Sequence, residues 1–273
     1  ERPREFPRKF KELLNALTAR RKELHIYILL WDFSMLFVWE REFLPVVTNG
    51  WRTHRQIHFA VDGHHPLGAS HHQKIVVVDD AVAFVGGLDL TRNRWDTPEH
   101  RADDPRRVDE AGHPYAPFHD VQMLVDGKTA QGLGELARTR WKRATGQDIA
   151  PSASTLSNPW PLHLCPDLES VPVAIARTEP AYNDQPAVHE IETLYCDAIA
   201  AAQRSIYIEN QYLTSEVISN ALVTRLQEPQ GPDIVLVLPH KAPGWLEEST
   251  MDVLRARLLR RVPAAARGST PGR

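Results

Sequence analysis

Cysteine is nearly absent: Cys165 and Cys196, two in 273 residues, form neither a disulfide framework nor a zinc site, and both read as packing thiols. A surplus of positive charge is missing too. With 32 Lys and Arg against 35 Asp and Glu, the formal charge of -3 carries no strong nucleic-acid signal, since dedicated polyanion binders are markedly basic. No apolar run approaches the roughly 20 residues that cross a bilayer, so no transmembrane segment is expected. The amino-terminal ERPREFPRKF has no apolar signal-peptide core. These absences point to a cytoplasmic or peripheral membrane location, although a chain starting without Met can have lost a targeting segment. No cluster of metal-ligating residues is visible. What is present is an ordinary globular balance, 42% hydrophobic and 25% charged, with a length that suits two domains or one large one.

Hydrophobic periodicity gives alternating helices and strands. Phe10, Leu13, Leu14 and Leu17 form one helical stripe over residues 7–23, and the β-branched run LHIYILLWDFS (24–34) reads as a buried strand. Two further strands meet at Asp79 and Asp80, followed by a long polar insert (91–117), whose length inside a compact domain favours function. A strand over 120–127 leads into a helix over 129–146 closed by Gly146. Residues 147–170, rich in Pro, Ser and Asn, mark a linker. The order then restarts, with strands at 171–178, 206–213 and 233–240 and helices at 187–205, 216–228 and 246–261. This alternation predicts an α/β fold, a mixed β-sheet flanked by helices. Two successive blocks predict an internal duplication, with a first half at 1–146 and an incomplete second half at 171–273.

The chemistry concentrates in ASHHQKIVVVDDAVAFVGGLDL, residues 69–90. Residues two apart on a strand share a face, so His72 and Lys74 project together and Gln73 does not. One site thereby receives a nitrogen nucleophile and a fixed cation, the pairing that attack on a phosphodiester requires. Asp79 lies seven residues after His72, on the opposite face of a regular strand, and takes a structural or supporting role. Gly86 and Gly87 permit close backbone approach and offer N–H groups to an anion. A polar strand entrance above a buried valine strand is the alternative reading of the same residues.

His72, Lys74, Asp79, Gly86, Gly87 and Asp89, in HxKxxxxD spacing with a following glycine pair, resemble the phospholipase D superfamily. The likeness extends through RWD (94–96), PFHDVQMLVDG (117–127) and IYIENQYL (206–213), in the manner of the phospholipid-cleaving, eukaryote-like branch. The resemblance implies a duplicated phospholipase D-like fold and no cofactor. It implies that His72 attacks phosphorus to form a phosphohistidine, that Lys74 binds phosphate oxygens, and that Asp89 shapes the phosphate pocket. Asp120 would orient His72, which agrees with a carboxylate fixing one imidazole tautomer. Glu209, Asn210 and Gln211 would border the cleft, with strand-end capping as the alternative. His71 and His119, each next to a matched residue, should point away. Trp51, Trp95 and Trp245 suit either a lipid surface or a core.

The implied activity is hydrolysis or transphosphatidylation of phospholipids such as phosphatidylcholine at a membrane surface, with water or a small alcohol as acceptor. The family mechanism needs a second histidine, from a second HxKxxxxD, to protonate the departing alcohol. These 273 residues hold no second copy. Taking HIYILL (25–30) and DIVLVL (233–238) as equivalent strands puts the counterpart of His72 at about residue 280, past Arg273. A chain shortened at both ends, and inactive alone, is the expectation. A homodimeric one-motif, nuclease-like phosphodiesterase and a non-catalytic phosphate-binding module remain as alternatives.

Overall fold

Local sequence pattern accounts for most elements in the computed structural model, which describes residues 7, 9–31, 55–109, 111–152 and 160–239. Contacts divide the chain into two compact units, 1–175 and 176–273. In the first, helix α1 (Phe10–Arg20) packs Leu14 and Leu17 against Ile26, Ile28 and Ile57, while Phe10 in its first turn stays exposed. Strands β1 (Ile26–Trp31) and β2 (Ile57–Asp62) pair in parallel, Ile26 opposite Ile57 and Trp31 opposite Asp62. Strand β2 was not foreseen. Its burial does not alternate cleanly, because Ile57 and Asp62 are buried and Val61 is exposed.

Strands β3 (Lys74–Val78), β4 (Val82–Gly86) and β5 (Gln122–Asp126) form an antiparallel meander. The β3–β4 hairpin turns where expected. Asp79 and Asp80 both have φ of 53°, a left-handed conformation that a short carboxylate side chain tolerates better than most. The register aligns Lys74 with Gly86 and Gly86 with Gln122. Helix α2 (Gly127–Thr145) follows β5 directly and packs against β2, β3, β4 and β5. Ala130 and Leu133 bury against Ala83, with Ile75, Val77, Val85 and Val125 around them. The helix ends, as its sequence predicts, at Gly146 (φ 74°), whose N–H donates to the Lys142 carbonyl at 2.7 Å.

The second unit contains a two-residue pairing of β6 (Thr178–Glu179) with β7 (Val188–His189), then α3 (Glu190–Ala201), β8 (Ser205–Glu209), α4 (Glu216–Leu226) and β9 (Asp233–Val237). Strands β8 and β9 are parallel, with α4 as the crossover. Ile199, Ile206, Ile208, Ile218 and Leu222 make its core. Leu222 is fully buried, so Leu222→Ala is expected to destabilise this unit by about 2–5 kcal/mol, read as a lowered urea midpoint. A midpoint unchanged from wild type contradicts that packing.

Three expectations need correction. Residues 171–177 form no strand: Pro172 cannot donate to a ladder, and Val171, Val173 and Ile175 stay exposed. The helix foreseen from 187 starts at Glu190, because Val188 and His189 pair with Thr178 and Glu179. Cys165 is exposed in a stretch without regular structure, whereas Cys196 packs on the second core. The helix expected at 246–261, Trp51, Trp245 and residues 240–245 lie outside the described residues. Within the described residues the fold is mixed α/β, and none of their helices is long and apolar enough to cross a membrane.

Candidate active site

The meander gathers Lys74 and the glycine pair at one end. Because Lys74, Gly86 and Gln122 stand in register, the chain entering β3, the chain leaving β4 and the chain entering β5 meet there. Lys74 lies in the middle of that meeting. Its Nζ donates to the His72 carbonyl at 2.9 Å and stands 3.3 Å from Asp89 Oδ1. Arg94 approaches the same carboxylate, Nη2 to Oδ2 at 3.7 Å, with its guanidinium 4.9 Å above the Phe118 ring. Two cations therefore flank one carboxylate, so the local balance remains favourable to a phosphate. His72 itself is exposed at this end.

The glycine pair is required by crowding. A Cβ on Gly86 would overlap the Val121 carbonyl and come within 2.7 Å of Gln122 Cα, and one on Gly87 would overlap the Asp120 carboxylate. The N–H of Gly87 donates to Val121 O at 3.1 Å, so it is committed to the backbone and is not turned to an anion as the sequence suggested. Asp120 accepts from Val121 N at 2.8 Å and sits against Gly87. Gly86→Ala is accordingly expected to cost about 1–3 kcal/mol through backbone overlap, measured by urea unfolding. An unchanged midpoint would mean that β4 and β5 are not so close.

Asp79 is not part of this cluster. It occupies the exposed hairpin turn at the far end of β3, with a positive φ, and its service is to the turn. Its neighbour Asp80 ties the hairpin to α2, through Arg138 Nη1 at 2.7 Å to each carboxylate oxygen. Glu209, Asn210 and Gln211 belong to the second unit. Glu209 accepts from the Tyr207 hydroxyl at 2.6 Å, which raises the tyrosine pKa. Asn210 Oδ1 accepts from the amides of Tyr212 and Leu213 at 2.9 and 2.7 Å, the strand-end capping kept as the alternative.

Two ionic assemblies near the motif were not legible beforehand. Asp62, 1% exposed, accepts from the His64 amide at 3.1 Å and from Arg140 Nη2 at 2.9 Å, with His71 Nε2 at 3.3 Å. Burial opposes its ionisation, but His71, Arg140 and that amide hold the carboxyl well below the usual carboxylate range. The second assembly organises the insert. Arg107, 1% exposed, donates to Asp96 Oδ1 at 2.9 Å and to the carbonyls of Tyr115, Arg101 and Ala102. Asp96 also accepts from Phe118 N and Thr97 N, both at 2.8 Å. His100 lies 3.2 Å from Asp96 and 3.0 Å from His119. Burial again disfavours the carboxylate, yet those donors hold Asp96 well below its ordinary range. Trp95 is half-exposed, with Arg106 5.7 Å from its ring. No group of three or more His, Cys, Asp or Glu arranged to hold a metal ion occurs among the described residues.

Motif spacing, the glycine pair and the cation pair lie together at the sheet end, where two cations suit an anionic group. A family model for phospholipase D matches residues 52–220, more than half of the chain, and the chain belongs to that family. It is 30% identical over 193 residues to phospholipase D alpha 1 of Carica papaya, covering 52% of this chain and 24% of the papaya protein. It is 31% identical over 145 residues to phospholipase D C of Dictyostelium discoideum, covering 44% of this chain and 9% of that protein. Phospholipase D beta 2 of Arabidopsis thaliana is 30% identical over 200 residues, 52% of this chain and 22% of its own length. The chain thus spans about a quarter of the length of the plant relatives it matches.

Proposed function

We propose that this chain carries one catalytic half of a phosphodiesterase of phospholipase D type, acting on phospholipids such as phosphatidylcholine. The observation that carries the reading is Lys74, bound to the His72 carbonyl and facing Asp89 at the end of the meander, in a chain of this family. A ring nitrogen of His72 attacks phosphorus, the bond from phosphorus to the head-group oxygen breaks, and a phosphatidyl-histidine forms. Lys74 neutralises the non-bridging oxygens as charge accumulates, with Arg94 alongside. Asp89 keeps the two cations in place until phosphate arrives. Asp120 holds the imidazole in the tautomer that leaves the attacking nitrogen unprotonated. Water then attacks the phosphohistidine to give phosphatidate and free His72, or an alcohol does so and gives the exchanged phospholipid.

The departing alcohol needs a proton, and in this mechanism a second histidine supplies it. A second HxKxxxxD does not occur in these 273 residues, so that role is assigned to none of them. Two observations support reading the units as repeats: each holds a parallel strand pair, and in each a helix leads through a short loop into one strand of it, α1 into β1 and α4 into β9. The test is choline release from phosphatidylcholine vesicles by the full-length protein, with and without ethanol. Choline together with phosphatidylethanol supports the mechanism. No choline release, and no acid-labile phosphoryl label on histidine, would overturn it.

A further inference from the structure

The motif loop is held at alternate positions, and its holder is buried. Between β2 and β3, residues 63–73 carry His72 in an otherwise irregular segment. His65 accepts from the Trp31 indole at 3.0 Å, and its ring meets that of His71 edge-on at 5.4 Å. His71 reaches Asp62 at 3.3 Å, and Gln73 Oε1 accepts from Arg140 Nη1 at 3.0 Å. The other nitrogen of that guanidinium, Nη2, is the one on Asp62 at 2.9 Å. Of the two sequence neighbours of His72, Gln73 is thus hydrogen-bonded to, and His71 packed beside, a single Asp62–Arg140 pair, whose side chains are 1% and 12% exposed. The anchor is stiff at both ends: Asp62 terminates β2, and Arg140 projects from α2, which is packed on the meander core.

We propose that Asp62 and Arg140 are positioning residues that set the attack geometry of His72 and the placement of Lys74, an inference that rests on the proposed phosphodiesterase reaction. The planar guanidinium is essential to it, because one fork must hold a carboxylate and an amide oxygen at the same time. Arg140→Lys keeps the charge and loses the fork. Asp62→Asn keeps the shape and the acceptor for His64, and loses the charge. A displacement of about 1 Å at a nucleophile is enough to cost roughly 100-fold in rate.

The full-length protein is tested with two readouts. In head-group release, Asp62→Asn is expected to lower kcat about 100-fold and Arg140→Lys about tenfold, each with KM within about threefold of wild type. The double variant should fall no further than Asp62→Asn alone, because both changes break one unit. The second readout needs no turnover: ring signals of His72 in protein with labelled histidine, assigned by their loss in His72→Ala, should shift and broaden in Asp62→Asn. A lowered melting temperature with kcat per folded molecule and His72 signals both unchanged overturns the positioning role. Wild-type protein without head-group release, in which Asp62→Asn still moves the His72 signals, overturns the reaction assignment and leaves the positioning intact.

Discussion

His72→Ala is expected to remove phosphodiester cleavage by the full-length protein, lowering kcat by about 10⁴-fold or more. The magnitude follows from the kind of role. A nucleophile that forms the covalent intermediate has no substitute at its position, and the residual rate comes only from binding and from the cations that remain. Lys74→Ala should behave differently, raising KM as well as lowering kcat, because a fixed cation acts on bound substrate and on the transition state. The two variants are distinguished further by trapping. With labelled phospholipid quenched at high pH, wild type and Lys74→Ala should retain label on histidine, and His72→Ala should retain none. Activity in His72→Ala within tenfold of wild type would remove His72 from the mechanism. The structure gives the test a favourable background: His72 is exposed at the sheet end and outside the buried cores, so the substitution should spare their packing.

Arg107→Met is expected to destabilise the first unit, lowering its urea midpoint. Its side chain is buried, and the substitution strands the Asp96 carboxylate together with the carbonyls of Arg101, Ala102 and Tyr115. Breaking such a pair by removing one partner is destabilising, mostly through the penalty of the charge left behind. The loss should concentrate in residues 91–120, visible as faster amide exchange there before the rest of the first unit opens. Phe118 donates to Asp96 and lies two residues before Asp120, so activity should fall with stability. A urea midpoint and an exchange pattern like those of wild type would show that the insert does not depend on this pair.

The same residues predict an acid limit. Asp96 is held below the ordinary carboxylate range by the donors that outweigh its burial, and the Arg106 side chain pushes Asp104 down to about 2. Depressed folded values mean that this stabilisation is complete above the unfolded carboxylate value of about 4 and disappears as pH falls through the folded values. The insert should therefore lose stability progressively as pH falls below about 4, read as a falling urea midpoint of the first unit.

Legibility in the sequence divides along physical lines. The β3–β4 hairpin was readable because its apolar run is interrupted by two aspartates that accept a left-handed turn. The end of α2 was readable from one glycine. Strand β2 was missed because a parallel strand that buries an aspartate at its end shows no clean alternation, and its burial depends on a partner 78 residues away. The 171–178 segment differs for the converse reason: its side chains suit a strand, but a strand exists only where a neighbour exchanges hydrogen bonds with it, and Pro172 has no N–H to donate. Arg107 does not stand out within the polar insert, since nothing local marks an arginine as buried.

Residue identity and spacing by themselves determined the candidate set proposed to react: a histidine, a lysine two positions on, a glycine pair and the acids around them. These depend on covalent order and on strand alternation, both of which are local. The tertiary structure decided which of those residues meet. Register across three strands brings Lys74 to Gly86 and Gly86 to Gln122, sets Asp120 against Gly87, and leaves Asp79 at the far turn. Helix α2 decides that the neighbours of His72 are held by Asp62 and Arg140. Such contacts join residues far apart in the chain, and their partners are chosen by packing and by the need to pair every buried charge, neither of which is written at any single position.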